Sequence, residues 1–178
     1  IANVNPALIP NLLPKSEAEK PEVAKVKNFR PGLGTMMIHL ALSDLPDWKA
    51  SEARGFNYVH IAPYVDDLAM TYTVAAAGKI QAVCSPSYTV AAAGKLPTTP
   101  ALVIGQPTVS DPTRAPEGKH VLWIQVRVLP LEISGTTWDQ VGEEYADQII
   151  ENIEQYAPGF KGKILSRKVL TPTDLERY

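Results

Sequence analysis

With 178 residues, 45% of them hydrophobic and 20% charged, the chain has the composition of an ordinary globular protein long enough for one real core. A formal net charge of −2 and the lack of any run of five or six like charges leave no basic face or charged tail, so no nucleic-acid partner is expected. The single cysteine, Cys84, excludes an intrachain disulfide framework and a thiolate metal cluster.

That cysteine usage fits a reducing compartment, and the sequence shows neither a signal peptide nor a run of 18 apolar residues. The expectation is a cytoplasmic protein without a membrane span.

Residues 5–30 are rich in Pro, Lys and Glu. Asn5-Pro6 opens a helical turn carrying Leu8, Leu12 and Leu13. Pro14 and Pro21 interrupt the next stretch, and a second short helix is expected over Glu22 to Phe29. After the turn Pro31-Gly32-Leu33-Gly34, Thr35 to Leu42 is apolar except for His39 and reads as a buried strand. Phe56 to Ala62 is a second strand, with His60, stopped by Pro63. Asp66 to Ala77 reads as a helix, and Ala101 to Ile104 as a third strand. A turn-rich loop, Gln106 to Gly118, leads to the clearest strand, His120 to Val128. Leu122, Ile124, Val126 and Val128 make its apolar face; Val121, Trp123, Gln125 and Arg127 make a mixed one.

Thr137 and Gln140 form a capping-box pattern ahead of a helix. Trp138, Val141, Tyr145, Ile149, Ile153 and Tyr156 give that helix one apolar stripe, and Pro158-Gly159 ends it. A last strand, Ile164 to Leu170, precedes Thr171-Pro172-Thr173-Asp174, which has the cap, first-turn proline and acidic third position of a helix start. The chain opens at Ile1 without an initiator Met and stops soon after that helix start, so an internal segment of a longer protein is expected. The order of elements predicts an α+β fold over residues 1–178 as a single domain, with a mixed, mostly antiparallel sheet and helices packed on one side.

Tyr72 to Lys79 recurs identically as Tyr88 to Lys95, an offset of 16 residues. Two copies do not make a solenoid. Ala-Ala-Ala-Gly-Lys reads as a helix C-terminus, with Gly in the left-handed cap and Lys complementing the dipole. The same Gly-Lys pairs are not phosphate loops, because Thr73 and Thr89 stand at the needed first glycine. Gly32-x-Gly34 has Met37 in place of a third glycine and precedes a strand, the wrong context for a dinucleotide fingerprint.

The three histidines are too dispersed for a local metal motif, no Gly-x-Ser-x-Gly elbow is present, and Cys84 has no nearby histidine. Asp66-Asp67 and Glu143-Glu144 are adjacent on helices and read as solvated carboxylates. His39 and His60 each interrupt an apolar strand. They read first as satisfied structural histidines, and become polar groups of a ligand cavity if they face one side of one sheet.

The stretch Pro97 to Pro130 carries Pro107, Asp111-Pro112, Ala115-Pro116, Gly118 and His120 in an order that resembles the middle of phytoene-desaturase-like FAD-dependent oxidoreductases. His60-Ile61-Ala62-Pro63, the helix from Trp138 to Ala157-Pro158-Gly159, and Thr171-Pro172 with Asp174 to Arg177 agree in the same order. The 16-residue repeat departs from that pattern, which has one Ala-Gly-Lys-Leu-Pro element.

The resemblance implies the substrate-domain part of a larger flavoenzyme acting on an apolar small molecule. FAD would be bound by a Rossmann-type domain absent from this chain, and the partner would be the remainder of the parent enzyme or a second copy. Peripheral membrane contact stays open for such a substrate. Catalytic residues are not identified. His39, His60 and Trp123 are the expected substrate-lining residues. The alternative is a non-catalytic apolar-ligand binding module, or an interaction protein, derived from that family. The Asp111–Arg114 loop is expected to be structural, with Asp111 capping its own turn and Arg114 pairing with it.

Overall fold

The computed structural model describes residues 4–29, 32–63, 65 and 86–177. The chain divides into two compact units, Ile1–Gly32 and Leu33–Tyr178. In the first, Asn5 caps a 3-10 turn, Pro6–Leu12, by accepting from the Ala7 amide at 3.0 Å. Two four-residue helices come next, α1 (Lys15–Ala18) and α2 (Pro21–Ala24), and α2 runs into a 3-10 turn, Lys25–Asn28. Pro6 and Pro21 each open a turn, since the fixed φ of proline suits a first helical position, while Pro10 lies inside the first turn. None of the described side chains of this unit is buried.

The described residues of the second unit build a sheet of five strands: β1 (Gly34–Leu42), β2 (Tyr58–Ile61), β3 (Leu102–Gly105), β4 (His120–Leu129) and β5 (Ile164–Leu170). Their order across the sheet is β2-β3-β4-β1-β5, and every pairing is antiparallel. Among the described residues, three helices accompany them: α3 (Pro86–Ala92), α4 (Trp138–Glu154) and α5 (Pro172–Arg177). The expected α+β fold is the observed one. The expected helix over Asp66 to Ala77, the first copy of the repeat and Cys84 lie outside the described residues.

One face of the sheet is the core. Met36, Ile38, Leu40 and Leu42 of β1, Leu122, Ile124 and Val126 of β4, and Leu102 and Ile104 of β3 meet Trp138, Tyr145, Ala146, Ile149, Ile150 and Ile153 of α4. Strand period and helix period each place their apolar residues on one side, and the two sides meet. Polar groups inside this layer are satisfied. The Tyr145 hydroxyl donates to the Pro97 carbonyl at 2.8 Å, and the Trp138 indole N–H donates to the carbonyls of Pro130 and Leu131 at 3.1 and 3.2 Å.

The expected apolar face of β4 changes at its end. Val128 has φ 63°, a left-handed conformation costly for a β-branched residue, and the register with β1 shifts there. The bulge turns Leu129, not Val128, into the fully buried position. The stripe of α4 is also shorter than its periodicity: the helix stops at Glu154, and Tyr156 is exposed. The Glu154 carboxylate accepts from the amides of Gly159 and Lys161 at 2.6 and 2.9 Å, which ties the turn through Pro158-Gly159 back to the helix end.

Both capping expectations hold. The Thr137 amide donates to Gln140 Oε1 at 3.3 Å. At α5, Thr171 N–H donates to Asp174 Oδ2 at 2.9 Å, and the Asp174 amide returns a bond to Thr171 Oγ1 at 3.2 Å. The second copy of the repeat ends α3 as its Gly-Lys predicts: Gly94 has φ 71°, and Lys95 N–H reaches back to Val90 O at 3.0 Å.

Candidate functional site

The second face of the sheet carries the residues that alternate with the core set. Directly opposed positions line up across all five strands: Tyr58 against Gly105, Gly105 against Trp123, Trp123 against His39, and His39 against Lys168. Gly105 lets the indole of Trp123 lie on the backbone of β3. A Cβ at that position would come within 2.1 Å of Trp123 Cε2 and 2.3 Å of Cζ2. Tyr58 then meets the indole edge-on, with ring centroids 5.6 Å apart and planes at 68°, a favoured aromatic geometry.

These residues line an open cleft of about 780 Å³, with Asn57, Pro107, Ser110, Asp111 and Arg114 on one rim and Ser166, Arg167 and Lys168 on the other. That volume is in the range of small-molecule sites.

The first rim is fixed by a buried glutamine. Gln106 accepts the Trp48 indole N–H at 2.8 Å and donates through Nε2 to the carbonyls of Ala53 and Phe56 at 3.1 and 2.7 Å. Its own amide donates to Asn57 O at 2.7 Å. One side chain therefore sets the approach to β2 and the start of the Pro107–Arg114 loop.

In that loop Asp111 Oδ1 accepts from the amide and hydroxyl of Thr113, and Arg114 Nε sits 3.1 Å from Oδ2. The Thr113 hydroxyl, its amide and the Arg114 charge hold the Asp111 carboxyl below its ordinary pKa. These hydrogen bonds give the loop the structural role expected of it.

On the second rim Arg167 turns toward α4, where Glu143 lies at 2.7 Å and Asp147 also pairs with it. Asp147 and Glu143 together keep its pKa above the ordinary value. Lys168, the next residue, faces the cleft, is exposed, and enters no ion pair among the described residues.

A separate charged cluster lies at the ends of β1 and β5. Lys163 Nζ donates to Asp47 Oδ2 at 2.7 Å, Leu45 O at 2.7 Å and Asp44 Oδ2 at 3.1 Å. Burial works against the Lys163 charge, but the two carboxylates outweigh it and raise its pKa; the Lys163 hydrogen bond lowers that of Asp44 in turn. His120 Nδ1 is 3.0 Å from Thr108 Oγ1 beside this cluster. Among the described residues no group of three His, Cys, Asp or Glu side chains could hold a metal ion.

Of the three residues expected to line a substrate site, the structure brings His39 and Trp123 together as cross-strand neighbours in the cleft. His60 faces the same side of the sheet, opposite Val103 and one row away. It borders a smaller crevice of about 320 Å³ with Trp48, Ala53, Val59 and Tyr156. Sequence reasoning missed Tyr58, Gly105, Gln106 and Lys168. Tyr58 could have been found, since it stands two residues before His60 on one strand and must share its face. The other three depend on strand pairing.

The described sheet has no parallel βαβ crossover to seat a dinucleotide pyrophosphate on a helix N-terminus, so FAD does not fit the described residues. No protein-family model matches the chain. A rat protein, pyridine nucleotide-disulfide oxidoreductase domain-containing protein 2, is 44% identical over 80 residues, covering 44% of this chain and 14% of its own length. A phytoene desaturase (neurosporene-forming) of Cereibacter sphaeroides is 36% identical over 80 residues, and a phytoene dehydrogenase of Streptomyces griseus 30% over 82; each match covers 44% of this chain.

Over 80 to 82 residues this chain is similar to oxidoreductases that include phytoene desaturases. The matches span only 14–16% of the length of these three relatives. Among the described residues, no helix is long and apolar enough to cross a membrane.

Proposed function

We propose that Leu33–Tyr178 is substrate-domain sequence of an FAD-dependent oxidoreductase, and that the open face of its sheet is one wall of the cavity for an apolar, unsaturated substrate. The observation that carries this reading is the row Tyr58–Gly105–Trp123–His39, an indole seated on Gly105 with Tyr58 in edge contact, in an open cleft. Oxidoreductase relatives that include phytoene desaturases supply the reaction class.

When bound in the parent enzyme, the flavin would supply the redox chemistry. This segment's residues would hold the substrate: Trp123 and Tyr58 by stacking, with His39 as the polar neighbour that orients it. The openness of the cleft among the described residues favours a wall completed by other protein over a self-contained carrier.

The test uses the full protein encoded by the gene. The wild type should show a flavin absorbance band and oxidise a polyene substrate. Trp123→Ala should keep the flavin while lowering kcat/KM by up to about ten-fold, the order expected from losing one stacked aromatic ring. Unchanged turnover in Trp123→Ala, or an upstream sequence with no Gly-x-Gly-x-x-Gly, would overturn the proposal.

A further inference from the structure

The cleft is not uniformly apolar, and its polarity is ordered along the sheet. At the β2 end stand Tyr58 and Trp123, in edge contact. Two strands beyond Trp123, on the same row, stands Lys168, with His39 between them. Neighbouring strands lie about 4.8 Å apart, so the backbone positions of Trp123 and Lys168 are separated by roughly 10 Å.

The other charges on the cleft rims are already matched. Arg114 is held by Asp111, and Arg167 by Glu143 and Asp147. Lys168 enters no ion pair among the described residues, and Asp174 feels its charge through space. His39 is exposed beside it and offers an imidazole to the same point. An exposed, unmatched ammonium next to an imidazole complements an anion. An aromatic platform complements a flat unsaturated chain.

We infer that the cleft recognises an unsaturated chain ending in a carboxylate, with the conjugated part on Trp123 and Tyr58 and the acid at Lys168 and His39. The inference rests on the reading of this face as a substrate wall and narrows it from apolar molecules in general to amphiphilic acids. Asp111 does not oppose such a ligand, because its charge is satisfied by Thr113 and Arg114.

The probe is cis-parinaric acid, a conjugated tetraene fatty acid whose own fluorescence rises on binding, compared with its methyl ester. Both are titrated into the full chain, following probe emission and quenching of Trp123. The acid should bind about ten-fold more tightly than the ester, the factor that corresponds to about 1.4 kcal/mol. Lys168→Gln should remove that preference and leave ester binding unchanged, Lys168→Arg should keep it, and Trp123→Ala should weaken both probes.

Unaltered circular dichroism and melting of the Lys168 variants would exclude a folding defect as the cause. Equal affinity for acid and ester, both lost in Trp123→Ala, would overturn the acid-recognition inference and leave the substrate wall standing. Acid binding unchanged by Lys168→Gln, or no binding of either probe, would overturn the inference. Failure of the wall reading itself is seen separately, as unchanged polyene turnover in Trp123→Ala of the full protein.

Discussion

Replacing Gly105 with alanine tests the geometry of the cleft most directly. The new Cβ would lie 2.1 Å from Trp123 Cε2 and 2.5 Å from Nε1, where carbon contacts normally sit at about 3.5–4.0 Å. The atom it meets is the body of an indole, so the ring must shift by about 1.5 Å or leave its place. Overpacking of this kind costs about 1–3 kcal/mol. Loss of the edge contact with Tyr58 adds about 0.5–1.5 kcal/mol. Alanine returns about 0.5–1 kcal/mol through reduced backbone entropy of the unfolded chain.

The net expectation is destabilisation by about 1–3 kcal/mol, or a Tm lower by roughly 3–9 °C for a chain of this size. Trp48 and Trp138 are each 3% exposed, so acrylamide quenching reports mainly on Trp123. Quenching should rise in Gly105→Ala. In a Trp123→Ala background the same glycine substitution should cost almost nothing, because the colliding ring is gone. An unchanged Tm with unchanged quenching would refute the packing of Trp123 on Gly105.

Three further outcomes are expected. Gln106→Leu strands the buried Trp48 indole N–H and removes the donor to the part-buried carbonyls of Ala53 and Phe56, and should lower stability in urea by about 1–3 kcal/mol. Tyr145→Phe removes the hydroxyl that satisfies Pro97 O and should cost about 1–2 kcal/mol in the same measurement. For acid sensitivity, the amides of Lys161 and Gly159 lower the pKa of Glu154, and the hydroxyl and amide of Thr171 lower that of Asp174. A lowered folded pKa gives stability that is complete above the unfolded value and is lost as pH falls through the folded one. The urea midpoint should therefore hold from neutral pH to about 4.5 and fall below about 4. Glu154→Gln should flatten that fall, and an identical pH profile would show that the turn after α4 is not held by this carboxylate.

Local chemistry was the most legible part of the chain. Thr137 with Gln140, Thr171 with Asp174, Gly94 after an alanine run and Asp111 before Pro112 each made the local bonds their residue types imply, because a cap or an Asx turn needs only its own neighbours in sequence. The strand Ile164–Leu170 has the bounds its sequence implies for a similar reason: Thr171-Pro172 fixes its end. Where reading by period failed, a long-range event intervened. Val128 fits the apolar alternation of β4, yet the bulge against Gly34 hands its place to Leu129.

The sequence by itself determined the α+β class, the apolar face of each strand and helix, and the presence of His39, His60 and Trp123 on strands, since period 2 and period 3.6 are properties of a single segment. Only the tertiary structure decided that Trp123 and His39 are partners while His60 stands a row away. It alone set Lys168 at the end of the same row, laid the indole on Gly105, and brought Gln106 to the loop before β2. Those relations are set by register between strands separated by tens of residues. A one-residue change in register would turn each of these side chains to the other face, and nothing local in the sequence records which register the packed core selects.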